Sequence, residues 1–498
     1  MKKICSAVLA LLMLLGTLSL AACKKDEAPP AVDGGSDVAP STDGQDTTAD
    51  TAVEDKSDVL EVEKADHNQK MITVLQRTAT KGEMYTEKYS GDLIADTVFD
   101  RNHYVEAYLN VKLNFVDETG TNHTFSTYKT KITNSLASGN EEFHIVANYA
   151  YFGASMAAEG SFTDYNTIPE ELNHIDTSKV WWNQSYVDQA TINNRLYFLE
   201  GDITTTAIDR LEVMFYNETM TEEYFAGVDF LQLVYDYQWT YEYFLDCLKV
   251  TGDGSTNGGI WGASMPQNSN SIDGFLAGLA VDIVTRNSRG GVEINFNTDR
   301  TQSIAEALRD LYHNNAAVNN SGPETAFETG TSMFYLGLMS RARTNFRNVS
   351  FDYGMLPMPL WNEDQNEYRV TPHDEYSILG IPSNVTESME AVTAVLEVMA
   401  AESYKSLRPT ILEESYKNRD LVTGPKGRMF DFIIDNAYFD FGYIYSHSIG
   451  NPVHILRNYV YYENPSDSLY VSSLPEALTS GSATSETQLR TFTEKFYE

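Results

Sequence analysis

Cysteine is nearly absent from this chain. Among 498 residues only Cys5, Cys23 and Cys247 carry a thiol, and the first two share one N-terminal stretch. The body therefore has no internal disulfide framework and must stand on a large core. Cys247 lies in Tyr241–Val250 beside Phe244, Leu245 and Leu248, where a buried structural thiol is expected rather than a nucleophile. Basic charge is also scarce: 35 Lys and Arg face 71 Asp and Glu, for a net charge of −36. That sign argues against nucleic acid or an anionic membrane surface as a main partner. Neither a phosphate-cradling glycine loop nor a nucleophile elbow is found. His103, His123, His144, His174 and His313 lack compact ligand spacing, so no metal and no cofactor are expected.

What is present suits a large globular body. Hydrophobic residues make up 42% and aromatics 12%, and the length exceeds what one core usually serves, so two lobes are expected. Met1–Cys23 precedes them. Lys2 and Lys3 lead into Leu9–Leu15, Leu18 and Leu20, and small residues Ala21 and Ala22 precede Cys23, the layout of an export signal. Leu20-Ala21-Ala22-Cys23 resembles the lipobox of bacterial lipoproteins, which implies a signal peptide over residues 1–22 and a lipid-modified Cys23. Residues 23–68 then read as an acidic disordered tether. Lys24–Asp66 holds 13 acidic and 4 basic residues and little that could form a core, so self-repulsion should keep it extended.

Folded sequence is expected from about residue 69. Met71–Leu75 reads as a strand, Asp92–Leu109 as a helix, Val111–Phe115 as a strand, Lys131–Ala137 as a helix and Phe143–Val146 as a strand. This alternation predicts an α/β lobe with a largely parallel sheet. Ligand loops of such sheets lie beyond the carboxyl ends of the strands, where Tyr149 and Tyr151 fall. A second lobe is expected over 209–358, starting at the strand Val213–Tyr216. Thr240 should cap a helix carrying Tyr241, Phe244 and Leu248, and Asp299 with Gln302 forms a capping-box pair. A crossing between lobes is placed at Phe351–Pro359. Residues 359–498 then return to the first lobe, with a strand at Tyr376–Ile381, a capping box at Asn384 and Glu387, and a mostly helical remainder. Tyr470–Glu498 is polar and receives no placement.

Several stretches, in order, resemble the extracellular solute-binding lipoproteins of ABC importers, the broad, family 1-like group that includes many sugar binders. They are Ala147–Tyr151 with Met156–Gly160, Val180–Ser185 with Ile192–Phe198 and Gly201–Ile203, Phe215–Asn217, Phe327–Gly330, Gly354–Pro359, and Phe430–Asp435 with Asp440–Tyr445. The resemblance implies a two-lobed, periplasmic-binding-protein-like clamshell with an interlobe hinge, a ligand in the cleft, and docking onto ABC permease subunits. It implies a chain held by its lipid on the extracellular face of the cell membrane, and a monomer is expected. One departure stands out. Asp253–Gly258 keeps oxygen groups at alternate places like a calcium loop, but the twelfth place is Ser264 and not a bidentate Glu, so a plain polar turn is expected.

A sugar offers apolar C–H faces and a rim of hydroxyls, so its binder needs flat aromatic platforms and hydrogen-bonding side chains. Candidates of the first type are Tyr149, Tyr151, Trp181, Trp182, Trp261 and Trp361. Adjacent Trp181 and Trp182 cannot both face one core, so at least one is expected to pack structurally. Candidates of the second type are Asp202, Arg341, Asp374 and Glu375. Two rival functions share these residues. A surface glycoside hydrolase would need two carboxylates across the scissile bond, which the adjacent pair Asp374-Glu375 does not by itself provide. A non-transport glycan-binding adhesin or sensor would need only the binding groups. The reading preferred is capture without chemistry, hence no enzyme.

Overall fold

The computed structural model describes residues 58–497, apart from 256–257, 267, 288–289 and 417–423. The expected signal peptide, Cys23 and most of the expected tether lie outside the described residues. The body starts earlier than composition suggests. Between Asp58 and His67 the chain already packs on it: Val62 is buried, Tyr108 Oη–H donates to the Val62 carbonyl, and Ala65 N–H donates to the Tyr108 carbonyl. Leu60 and Val62 provide the apolar contacts that an acidic window average conceals.

The first sheet has the order β11-β3-β1-β2. Its strands are β1 (Lys70–Arg77), β2 (Val111–Glu118), β3 (Ile145–Tyr149) and, arriving much later, β11 (Ser377–Gly380). β1 runs parallel to β2 and β3, and β11 is antiparallel to β3 with Ser377 beside Tyr149. Helix α1 (Leu93–Leu109) joins β1 to β2; the Asp92 side chain accepts from Ala95 N–H at its start, a cap worth about 1 kcal/mol. Helix α2 (Phe125–Ser138) joins β2 to β3 and is longer than its apolar spacing implies, because polar residues fill its first turns.

The second sheet has the order β10-β4-β9-β5-β8. It consists of β4 (Glu212–Asn217), β5 (Trp261–Ser264), β8 (Val318–Asn319), β9 (Ser332–Leu338) and β10 (Tyr353–Leu356). β5, β8 and β9 are parallel while β4 opposes β9 and β10. Helix α3 (Tyr241–Thr251) is capped by Thr240 as expected. Helix α4 (Asp299–His313) is capped one residue earlier than expected, by Thr298 accepting from Thr301 N–H, while Gln302 reaches Glu306 on the exposed face. Between β5 and β8 in the chain, β6 (Val284–Arg286) and β7 (Val292–Ile294) pair as a hairpin, a separate two-stranded sheet. It ends on the other lobe, where Arg286 Nη2–H donates to the carbonyls of Asp188 (2.7 Å), Gln189 (3.0 Å) and Thr191 (2.7 Å) at the end of the helix Gln184–Ala190.

The segments linking the sheets pair with one another. Glu212 N–H donates to Thr371 O and His373 N–H to Arg210 O, an antiparallel contact. Val370 N–H donates to Asn436 O and Tyr438 N–H to Val370 O, which adds a third, parallel segment. The return crossing is therefore at 370–373 and not at Phe351–Pro359. Leu356 still pairs with Met214 in β10, and Leu360 exchanges backbone bonds with Trp239 and Tyr241, so these residues finish the second lobe. Because β4 starts opposite the end of β9, and β11 starts beside the end of β3, both crossings enter at the carboxyl edges of the two sheets.

The last part of the chain covers both lobes. Helix α5 (Met389–Glu402) is buried along most of its length and packs on α1; its entrance is held by Glu141, which accepts from Thr386 N–H (2.5 Å) and Glu387 N–H (2.7 Å), rather than by an Asn384–Glu387 box. Helix α6 (Arg408–Tyr416) follows on the same side, while α7 (Pro425–Asp435) packs on β10 and α8 (Val453–Tyr461) packs on α4. The polar terminus forms helix α9 (Leu474–Glu494), buried along Leu474, Leu478, Ser482, Ser485, Leu489 and Phe492. That stripe has helical spacing, but two of its members are serines, so no apolar period is visible in the sequence.

Candidate functional site

Strand ends and crossing segments meet at a cavity of about 520 Å³. Tyr149 and Tyr151 reach it from the end of β3, Ser269 and Asn270 from the loop after β5, His373 and Asp374 from the return crossing, and Asn451, His454 and Arg457 from the C-terminal helices. The aromatic pair is held from below. Arg77 lies over the Tyr149 ring at 4.6 Å, and Arg77 Nη2–H donates to Ser377 Oγ (3.1 Å), which itself bonds Glu83. Tyr151 Oη–H donates to Asn451 Oδ1 (2.9 Å). Burial holds both phenols protonated far above neutral pH, with Asp374 adding to it, so each is a hydroxyl donor and an apolar ring at once.

A charged seam closes the far wall. Arg457 Nε–H donates to Asp273 Oδ1 (2.9 Å) and its Nη2 pairs with the second oxygen; Asp374 Oδ2 lies 3.7 Å from the same Nη2. Beneath it Glu212 Oε2 accepts from Gly274 N–H (2.8 Å). Burial, together with the neighbouring Asp273, raises the Glu212 pKa well above its ordinary range. Burial also lowers the His454 pKa, helped by Arg457, so that ring is neutral at pH 7 and can donate and accept one hydrogen bond each. Glu375, the neighbour of Asp374, faces elsewhere and pairs with Arg210 Nη2 (3.1 Å). Adjacent residues on an extended crossing alternate in direction, so the two carboxylates meet separate guanidinium groups and do not oppose each other across a bond.

The other sequence candidates fall in different places. Trp181, Trp182 and Asp202 line a second, larger cavity of about 820 Å³, bordered by Ala207, Ile208 and Leu211 of the first crossing and by Ala437 and Phe439 of the third. Both tryptophans are buried, and both indole N–H groups donate to Glu397, at 3.0 and 2.8 Å. The expectation that at least one packs structurally is met by both; the premise that adjacent tryptophans cannot face one core fails because the chain turns here: Trp182 N–H donates to Lys179 O, so neighbouring side chains do not alternate as on a strand. Trp261 starts β5 and covers Gly254, where any Cβ would sit 2.2 Å from its ring. Trp361 packs over Tyr241 at 5.6 Å in the second lobe, and Arg341 lies between Glu324 and Asn345. In the loop compared with a calcium site, Asp253 Oδ1 accepts from Ser255 N–H and Oγ–H, while residues 256–257 lie outside the described residues. Cys247 is buried and its thiol is pushed up to about 12 by that burial.

Sequence reasoning did not find Asn270, Asn451, His454 or Arg457. One signal was available. Gly450-Asn451-Pro452 is a turn sequence ahead of α8, and Gly450 and Asn451 both have positive φ (86° and 53°), which aims the Asn451 amide at Tyr151.

The sequence matches no protein-family model, and no curated protein matches it. Solved structures do match. Similar in fold are sugar-binding substrate-binding proteins of ABC transporters. The galacto-N-biose/lacto-N-biose I-binding protein of Bifidobacterium longum, solved with lacto-N-biose, has a TM-score of 0.54 at 13% identity, covering 85% of this chain and 97% of that one. The GacH receptor of Streptomyces glaucescens, solved unliganded and with acarbose, has a TM-score of 0.52 at 12% identity, covering 84% and 99%. The substrate-binding protein Lmo0181 of Listeria monocytogenes, in complex with cycloalternan, has a TM-score of 0.50 at 13% identity, covering 84% and 99%. The chain thus has the two-lobed α/β fold of the solute-binding proteins, as its sequence pattern suggested.

Proposed function

We propose that this protein captures a carbohydrate or oligosaccharide for an ABC importer, held by a lipid on Cys23 at the extracellular face of the membrane. The observation that carries the reading is the cavity where the carboxyl edges of both sheets meet. Its volume falls in the range of roughly 300–1,000 Å³ usual for small-molecule sites. Tyr149 and Tyr151 offer rings to apolar sugar faces, and Asn270, Asn451, His454 and Asp374 offer hydrogen bonds from different parts of the chain. A ligand touching all of these favours the closed arrangement by its differential affinity, and the three paired crossings are the bending element. The shut form is what permease subunits would recognise; no bond in the ligand changes, in keeping with a binder that is not an enzyme.

Calorimetric titration of the mature body with a panel of neutral oligosaccharides tests the capture. Saturable binding of one sugar class, weakened in Tyr151→Ala, is the expected result. If every sugar fails while a peptide or a metal ion binds tightly, the substrate class is wrong. Metabolic labelling with an alkyne fatty acid tests the anchor, and Cys23→Ser should remove the label and release the chain.

A further inference from the structure

Two of the three crossings are tied to the first lobe at a single buried carboxylate. Glu83 ends the short turn Lys81–Glu83 and is 4% exposed. Its Oε2 accepts from the N–H (3.3 Å) and the hydroxyl of Thr206, at the start of the first crossing. Its Oε1 accepts from the hydroxyl of Ser377, where the return crossing enters β11. The crossings also bond each other there, Ser377 N–H donating to Thr206 Oγ1 at 3.1 Å. The turn that carries Glu83 is itself fixed. Arg101 of α1 donates to the carbonyls of Met84 (3.0 Å) and of Ile203 (3.1 Å), the latter just ahead of the first crossing. Through Ser377 the circuit continues to the cleft: Arg77 Nη2–H donates to Ser377 Oγ while its guanidinium covers the Tyr149 ring, and Ser377 stands beside Tyr149 in the sheet. A buried charge is a poor way to add stability, since well-packed apolar residues of similar volume often serve as well or better. What it supplies is register, because two segments 171 residues apart in the chain are held at one point.

We infer that Glu83 is the positioning residue of the hinge. It pins the first-lobe ends of two crossings, so that bending is confined to residues 207–211 and 370–376, and Arg77 carries the same fixed point to the Tyr149 ring. The inference rests on the capture reading for its effect on ligand, and on the fold alone for its effect on the lobes. With the pin removed, the free chain samples wider lobe angles and the binding-competent fraction falls. The apparent Kd rises in inverse proportion to that fraction.

The test uses the mature chain with Cys23→Ser and spin labels on Lys112→Cys in β2 and Val250→Cys in α3, two exposed positions on different lobes; Cys247 is buried and stays unlabelled. Pulsed electron double resonance without ligand reads the distances between the lobes. Glu83→Gln keeps the shape but removes an acceptor. It should broaden those distances and weaken the sugar identified by titration roughly tenfold, as for loss of a charge-assisted contact. Ser377→Ala, a milder change that leaves Glu83 in place, should act in the same direction. Glu397→Gln is the control for a purely structural role, since that buried carboxylate is bonded to no crossing segment. It should lower the unfolding midpoint and leave the interlobe distances unchanged. The inference is overturned if Glu83→Gln and Ser377→Ala keep the wild-type distances while losing stability as Glu397→Gln does, or if all three variants broaden them alike. Failure of every sugar to bind would remove the capture reading and leave the distance measurement to decide the pin.

Discussion

Glu397 offers the sharpest energetic test of this fold. It projects from α5, is 2% exposed, and accepts both tryptophan N–H groups as well as Asp176 N–H at 3.4 Å. Replacing it with Gln keeps the shape but leaves one acceptor oxygen, so one indole N–H loses its partner at a cost of about 1–3 kcal/mol. The pH dependence is more telling. Burial pushes the carboxyl from an ordinary 4.5 up to about 8, against the pull of the two indole bonds. A folded pKa above the unfolded one means the native state holds a proton that the unfolded chain has released. The associated stability is full below about pH 4.5 and is lost as pH rises through about 8, at roughly 1.4 kcal/mol per unit. Glutamine does not titrate. Urea unfolding of the wild type and of Glu397→Gln at about pH 5 and about pH 8 should therefore show the wild-type advantage falling by about 4 kcal/mol. Other raised carboxyls, Asp440 among them, titrate in both proteins and cancel in the difference. If the two proteins lose stability in parallel across that window, the carboxyl is not held protonated and the reasoning fails.

Three further outcomes follow from the packing. Arg457→Met should cost about 3–5 kcal/mol, because it leaves Asp273 buried without its counter-ion, and chemical denaturation will read it. Gly201→Ala should lower the thermal midpoint by several degrees, since a Cβ there would lie 2.2 Å from the Trp181 carbonyl oxygen, and the backbone has little freedom to retreat. On the reading proposed above, Asn451→Ala should weaken sugar binding by roughly tenfold through release of the Tyr151 hydroxyl, with little change in unfolding midpoint because both groups are partly solvated.

The elements that were legible in the sequence are those whose burial is written in apolar residues. The strand Val213–Tyr216, the Thr240 cap and the β1–α1–β2 succession follow from spacing and from a single capping oxygen. The helix α9 was not legible, because Ser482 and Ser485 occupy two buried positions of its stripe. Nor was the true return crossing, since nothing in Pro357–Arg369 distinguishes chain lying on the second lobe from chain leaving it; only its backbone bonds to Trp239 do so. The site divides along the same line. Tyr149 and Tyr151 were reachable because a parallel sheet fixes where its loops lie, whereas Asp374 was singled out only as one of two neighbouring carboxylates ahead of a strand. Asn451, His454 and Arg457 arrive about 300 residues later in the chain, and their approach to Tyr151 depends on how α8 docks on α4, a long-range contact that no local pattern encodes.

The grip of Arg286 on three carbonyls has a consequence for a protein that would work in open surroundings. Two opposite charges at that place would lose their hold as salinity climbed, since mobile ions screen exposed pairs over about 8–10 Å. Here the guanidinium is hydrogen-bonded to the oxygen dipoles at the tail of a helix, with the nearby Asp188 carboxylate adding a formal charge, so dissolved ions can neutralise only part of the hold. The resting posture of the hairpin against its neighbour should accordingly be much the same in fresh water and in brine, even though the rest of this highly acidic surface is not indifferent to salt.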